Sequence, residues 1–137
     1  MFKNLKKVKM LLFVAATMVA VSCTKDNSVL IVGKWRCTSS TTKVTDLYTG
    51  SSSTRTNGAF IGRTIEFTRD GDVLIPGEPT LNYTVSDKSF TIIYPATGEE
   101  EKFDIIFLGD NTLEYASQPY INDGYKYETT NELTKIY

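Results

Sequence analysis

The stretch Thr80–Tyr94, TLNYTVSDKSFTIIY, decides how this chain folds. Leu81, Tyr83 and Val85 alternate with Asn82, Thr84 and Ser86. On an extended backbone, successive side chains point to opposite faces, so one face is apolar and the other polar. Ser86-Asp87-Lys88-Ser89 has the composition of a tight turn, and Ser89 to Tyr94 resumes a β-branched and aromatic run. The stretch reads as a hairpin with one face to bury.

Working outward, the same period of two recurs and no helical period of useful length is found after residue 29. Strands are expected at Gly33 to Val44, Arg63 to Arg69, Asp72 to Ile75, Thr80 to Ser86, Ser89 to Tyr94, Glu101 to Leu108, Thr112 to Ser117 and Tyr125 to Ile136. Ile65 and Phe67 share a face, as do Phe103, Ile105 and Phe107, and as do Tyr125, Tyr127, Leu133 and Lys135. One apolar face per strand implies an antiparallel sheet, folded as a sandwich or closed as a barrel. The connections separate the two. Arg69-Asp70-Gly71-Asp72, Ser86-Asp87-Lys88-Ser89 and Leu108-Gly109-Asp110-Asn111 are tight, whereas 45–62, 76–79, 95–100 and 118–124 are longer. Long and tight connections alternate, which puts all the long ones at one end of an up-and-down meander. The expected fold is therefore all-β, an eight-stranded antiparallel up-and-down barrel over residues 33–137, with a looped mouth and a tight-turned end.

The chain has 137 residues, 15 Lys plus Arg, 16 Asp plus Glu, two Cys and no His. One domain fits that length. Without His, triads, Cys-His nucleophiles and His-containing zinc sites are excluded within the chain, and two Cys cannot make a four-thiolate site. Lys3, Lys6, Lys7 and Lys9 precede the apolar run Met10 to Val21, which is too short to span a bilayer and has the form of a secretory leader. The expected mature chain starts at Cys23 and keeps 11 basic against 16 acidic residues, a net charge of −5. Such a domain is a poor partner for nucleic acid.

Ala20-Val21-Ser22-Cys23 resembles a bacterial lipobox, which implies a signal peptide over 1–22 and diacylated Cys23 as the new N-terminus. The alternative is an ordinary signal peptide that leaves Cys23 a free thiol. Residues 23–32 are then a tether, and Lys25-Asp26 resembles the export signal of Bacteroidetes surface lipoproteins, or is a plain solvated linker in the periplasm. Membrane contact is expected through the acyl chains alone. Cys37 is left without a partner and reads as a small buried hydrophobe.

Gly33-Lys34-Trp35, opening the first of eight strands, resembles the Gly-x-Trp of lipocalins. The resemblance implies that Trp35 plugs the closed end, that a basic residue of the last strand, here Lys135, packs on its ring, and that 45–62 is a lid over the mouth. Leu81-Asn82-Tyr83-Thr84-Val85 and Asp110-Asn111-Thr112-Leu113-Glu114 also resemble strands of the small lipocalin-like lipoproteins of Bacteroidetes, and the likeness covers most of 23–137. The chain lacks the structural disulfides of longer lipocalins, so their ligand specificities do not carry over.

Ten large aromatics are candidates for the inward face: Trp35, Phe67, Tyr83, Phe90, Tyr94, Phe103, Phe107, Tyr115, Tyr125 and Tyr127. A barrel of this size is either filled by side chains or holds one small ligand. Two functions stay open: binding of a small apolar or amphipathic molecule, or a packed, ligand-free barrel that acts as a cell-surface or assembly module. For the first, Tyr94, Tyr125, Phe60 and Tyr120 are the expected contacts at the mouth. Glu99-Glu100-Glu101, with Glu78 and Asp123, reads as a solvated run or a cation site. No resident metal or cofactor is expected. Catalysis is not expected either, since nothing sets two acids in an apolar cleft. A monomer is expected. Thr49 to Gly58, rich in Ser, Thr and Gly, reads as a mobile loop.

Overall fold

A computed structural model of the chain describes residues 26–137; the leader and Cys23 lie outside the described residues. A short helix, α1 (Asn27–Leu30), precedes ten strands: β1 (Gly33–Asp46), β2 (Ser52–Thr56), β3 (Thr64–Phe67), β4 (Asp72–Leu74), β5 (Leu81–Val85), β6 (Ser89–Ile93), β7 (Glu100–Leu108), β8 (Thr112–Ser117), β9 (Tyr120–Asn122) and β10 (Tyr125–Lys135). All eight expected strands are present.

Neighbours pair antiparallel in the order β1-β3-β4-β5-β6-β7-β8-β10, and β10 returns to β1 from Trp35↔Lys135 to Asp46↔Tyr125. This closes an eight-stranded barrel and removes the edges an open sheet would expose. β2 and β9 are additions. β2 pairs with Thr41–Thr45 of β1 and β9 with Tyr125–Tyr127 of β10. The outer halves of β1 and β10, flanked by β2 and β9, form a four-stranded visor continuing the barrel wall past the mouth. Residues 52–56, expected within a mobile loop, are thus a strand. Its hairpin is set by Asp46, whose Oδ1 accepts from the backbone N–H groups of Tyr48 and Thr49, and by Gly50 at φ 77°.

Two β-bulges shift the faces. In β1 the register slips between Cys37 and Ser39, so the inward set passes from Trp35 and Cys37 to Ser40 and Thr42. In β7 it slips between Ile105 and Phe107. Phe107, expected inward, is therefore 55% exposed, and Leu108 packs on the core instead. An extra residue in one strand reverses every side chain beyond it.

The core is built around Phe90. Its ring stacks on Phe103 (centroids 5.0 Å apart) and meets Phe67 and Tyr115 edge-on at 5.6 and 5.1 Å, geometries that the ring quadrupole favours. Trp35, Phe67, Val73, Leu113 and Leu133 fill the tight-turned half.

Candidate ligand-binding cavity

The closed end is plugged by the chain before β1. Ile31 is fully buried, so the last part of the expected tether belongs to the barrel. The carbonyl of Ile31 accepts from Trp35 Nε1 at 2.8 Å, and that of Leu30 accepts from Lys135 Nζ at 3.1 Å. Asn27 Nδ2 donates to the carbonyls of Ser86 and Asp87 in the tight turn between β5 and β6. The apolar β1 segment through Trp35 thus meets a helix turn whose free carbonyls need donors, and Trp35 and Lys135 supply them.

Gly33 is required for this closure. Its φ is +143°, and a Cβ there would lie 3.0 Å from the Tyr137 carbonyl oxygen and 3.0 Å from Lys135 Cε.

The other half of the barrel is not filled. A cavity of ≈ 450 Å³ opens at the looped end, within the range of small-molecule sites. Ile65, Leu81, Ile92, Phe103 and Leu133 supply its apolar lining. Thr42, Thr129, Asn131, Ser117 and Tyr115 supply a polar stripe along β1, β10 and β8. Thr42 and Thr129 share a hydrogen bond of 2.8 Å between their hydroxyls, and Asn57 Nδ2 donates to Thr42 Oγ1 and Ser40 Oγ. The turn 57–63 is also tied to β1 by Asn57 N–H to Ser40 O and Gly62 N–H to Cys37 O. Cys37 is free and buried, and burial pushes its thiol pKa up.

Of the four expected contacts, Tyr94 and Phe60 line the cavity and Tyr120 and Tyr125 do not. Tyr94 OH donates to Glu101 Oε1 at 3.0 Å. Its phenol pKa is raised by burial first, then by that bond and by the negative charges of Glu101, Glu99 and Glu78. Phe60, 52% exposed, lies at the mouth with the Arg63 guanidinium 5.6 Å from its ring centroid. Tyr125 and Tyr120 stand on the visor instead. β9 lifts Tyr120 beyond the rim, where it stacks on Tyr127 at 4.8 Å, and Tyr125 pairs with Asp46 and Asn122 at the far end of β10. Asp123-Gly124, both at positive φ, is the hairpin signature that marks β9 in the sequence. Sequence reasoning missed the polar stripe because the β1 bulge falls in the uniform run Thr38-Ser39-Ser40-Thr41-Thr42, which shows no change of phase. Among the described residues no group of three or more His, Cys, Asp or Glu is arranged to hold a metal.

A closed eight-stranded antiparallel barrel, plugged by a Trp at one end and open at the other, defines the lipocalin-like class. The chain belongs to the lipocalin-like domain family, which matches residues 31–115. That span takes in the plug and the strands through most of β8, while the closing strand β10 follows it. The curated proteins and the solved structures gave no match.

Proposed function

We propose that the protein is a lipid-anchored lipocalin-like barrel that binds a small amphipathic molecule, neutral or cationic, at the bacterial outer membrane. The observation that carries this is the cavity of ≈ 450 Å³ with apolar lining on one side and hydroxyl and amide groups on the other. A packed interaction module would have no such space, since an ordinary interior leaves few voids larger than a water. The acids around Tyr94 disfavour an anionic guest at the rim. The chain's action is binding, not catalysis. Native mass spectrometry of the protein from its own cells tests this. A retained small molecule is expected, and its loss when Ile92→Trp fills the cavity; apo protein alone would count for the packed-module reading.

The anchor is proposed from Ala20-Val21-Ser22-Cys23, as is an origin among Bacteroidetes lipoproteins. Cys23→Ala should release the protein from the membrane fraction or leave it uncleaved. Asn27 is held against the closed end, and four residues of chain reach roughly 14 Å at most. Acyl chains on Cys23 therefore hold the closed end toward the membrane and turn the mouth away, so guests enter from the aqueous side.

A further inference from the structure

The β7 bulge leaves two neighbouring apolar side chains outside the barrel. Ile106 is the extra residue between Ile105 and Phe107, and the slip turns Phe107 outward as well, so both are more than half exposed. Bulges often re-aim a side chain, and an outward Phe gains nothing from the core. The Phe107 ring lies against the tight turn after β7: a Cβ on Gly109 would be 3.0 Å from it. The N–H of Ile105 donates to the Lys88 carbonyl, which sets this part of β7 beside the turn 86–89. Asn27 of α1 holds the same turn, and Val29 on α1 is 61% exposed. Tyr137 is 73% exposed and lies beside the start of β1, where its carbonyl accepts from the Lys34 N–H. Four exposed apolar side chains therefore stand at the closed end.

The visor exposes apolar groups too, Tyr48 and Ile121 among them, so exposure alone does not choose an end. The tether does. β10 runs 11 residues, roughly 35 Å of strand, and a barrel tilt of about 40° leaves about 25 Å or more between closed end and mouth. The reach of roughly 14 Å from Cys23 to Asn27 is shorter. With acyl chains on Cys23 in the bilayer, the mouth cannot be the end that meets it.

We propose that the closed end docks on lipid: Val29, Ile106, Phe107 and Tyr137 enter the headgroup–acyl boundary of the bilayer that holds Cys23. This rests on the anchor proposed above and extends it from the acyl chains to the protein surface. Aromatic rings favour that boundary. Lys34, whose Nζ lies 5.6 Å from the Tyr137 ring centroid, stays at headgroup level. The tight turns carry Arg69 and Lys88 beside Asp70, Asp87 and Asp110, so no basic cluster selects anionic lipid and the apolar side chains supply the contact. Docking fixes which way the barrel stands, which acyl chains alone do not.

The protein carrying its own lipid is placed in phosphatidylcholine nanodiscs doped with a lipid that bears a nitroxide on its acyl chain, just beneath the headgroups. Methyl NMR signals of Val29, Ile106 and Ile121 are compared with those in undoped discs. Loss of the Val29 and Ile106 signals and survival of the Ile121 signal are expected. Ile106→Ser combined with Phe107→Ser should leave the protein on the disc, held by its acyl chains, and bring the Val29 signal back; a Val29 signal still lost would overturn the role of Ile106 and Phe107. Survival of the Ile106 signal in the unmodified protein on the disc would overturn the docking and spare the anchor. Loss of the Ile121 signal would show the barrel on its side or mouth down and would overturn the docking as well. Protein that stays off the discs would overturn docking and anchor together. The comparison of Ile106 with Ile121 needs no variant, so misfolding of the double variant does not shelter the proposal.

Discussion

The ammonium of Lys135 lies 4.9 Å from the centroid of the Trp35 ring, across the pair of strands that closes the barrel. The same Nζ donates to the Leu30 carbonyl and Trp35 Nε1 to that of Ile31, so barrel closure and the N-terminal plug depend on one pair. Trp35→Ala should cost about 3–5 kcal/mol as a large core deletion. Lys135→Met keeps much of the bulk and removes the cation and the donor, for about 1–3 kcal/mol. Urea unfolding of the two variants measures both, and near-wild-type stability of Trp35→Ala would refute the plug.

Gly33→Ala tests the backbone beneath that pair. At φ +143° the new Cβ meets the Tyr137 carbonyl at 3.0 Å, so a loss of roughly 1–3 kcal/mol is expected from strain at a position where an L side chain is disfavoured. Gly58→Ala, with open space around it, is the control and should change stability little.

Alkaline pH should weaken the fold. Burial raises Tyr115 from an ordinary value near 10 to about 12, and burial raises Tyr83 as well. A raised tyrosine pKa means that the unfolded chain loses its proton first. The Tyr115 contribution is therefore full below pH 10 and is lost as pH rises from there through about 12, to the extent of about 2–3 kcal/mol. Denaturation midpoints at successive pH values should fall across that window. The fall should be smaller for Tyr115→Phe, and an equal fall in that variant would exclude Tyr115 as its source.

The split among the four mouth aromatics is testable by binding. Phe60→Ala combined with Tyr94→Ala removes apolar lining and should weaken a neutral amphipathic probe by roughly tenfold or more, since each large side chain buried against a guest contributes on the order of 1 kcal/mol or above. Tyr120→Ala combined with Tyr125→Ala should leave affinity within about twofold. The reverse pattern, read by calorimetry, would move the site onto the visor.

Anchoring geometry gives the last expectation. With the proposed anchor at Cys23 in place on vesicles, a fluorophore at Asp87, in the tight turn held by Asn27, should be quenched by brominated lipid. One at Ile121 on the visor should not. Quenching at Ile121 alone would show the mouth facing the bilayer.

Local alternation determined most of this architecture. Period two in runs such as Leu81–Val85 sets which face is buried regardless of the rest of the chain, and the parity of loop lengths orients the barrel, because hairpins can only stack their turns alternately. The packing of Lys135 on Trp35 came from the resemblance of Gly33-Lys34-Trp35 to the lipocalin motif, and the pairing of the first and last strands delivers it. What alternation cannot show is a change of phase in a uniform run. Thr38 to Thr42 are all hydroxyl-bearing, and Ile105 to Leu108 are all apolar, so both bulges were hidden. With them were hidden the outward turn of Phe107 and the polar stripe that meets the cavity. β2 was silent for a similar reason: Ser52–Thr56 has no apolar face, is exposed throughout, and becomes a strand only because the outer half of β1 offers unpaired backbone groups. The cavity was decided by tertiary structure as well. The aromatic side chains counted for filling the lumen gather around Phe90, toward the plugged end, while Phe107 and Tyr125 leave the interior. Space is a property of how side chains from distant strands share a volume, and no short stretch of sequence carries it.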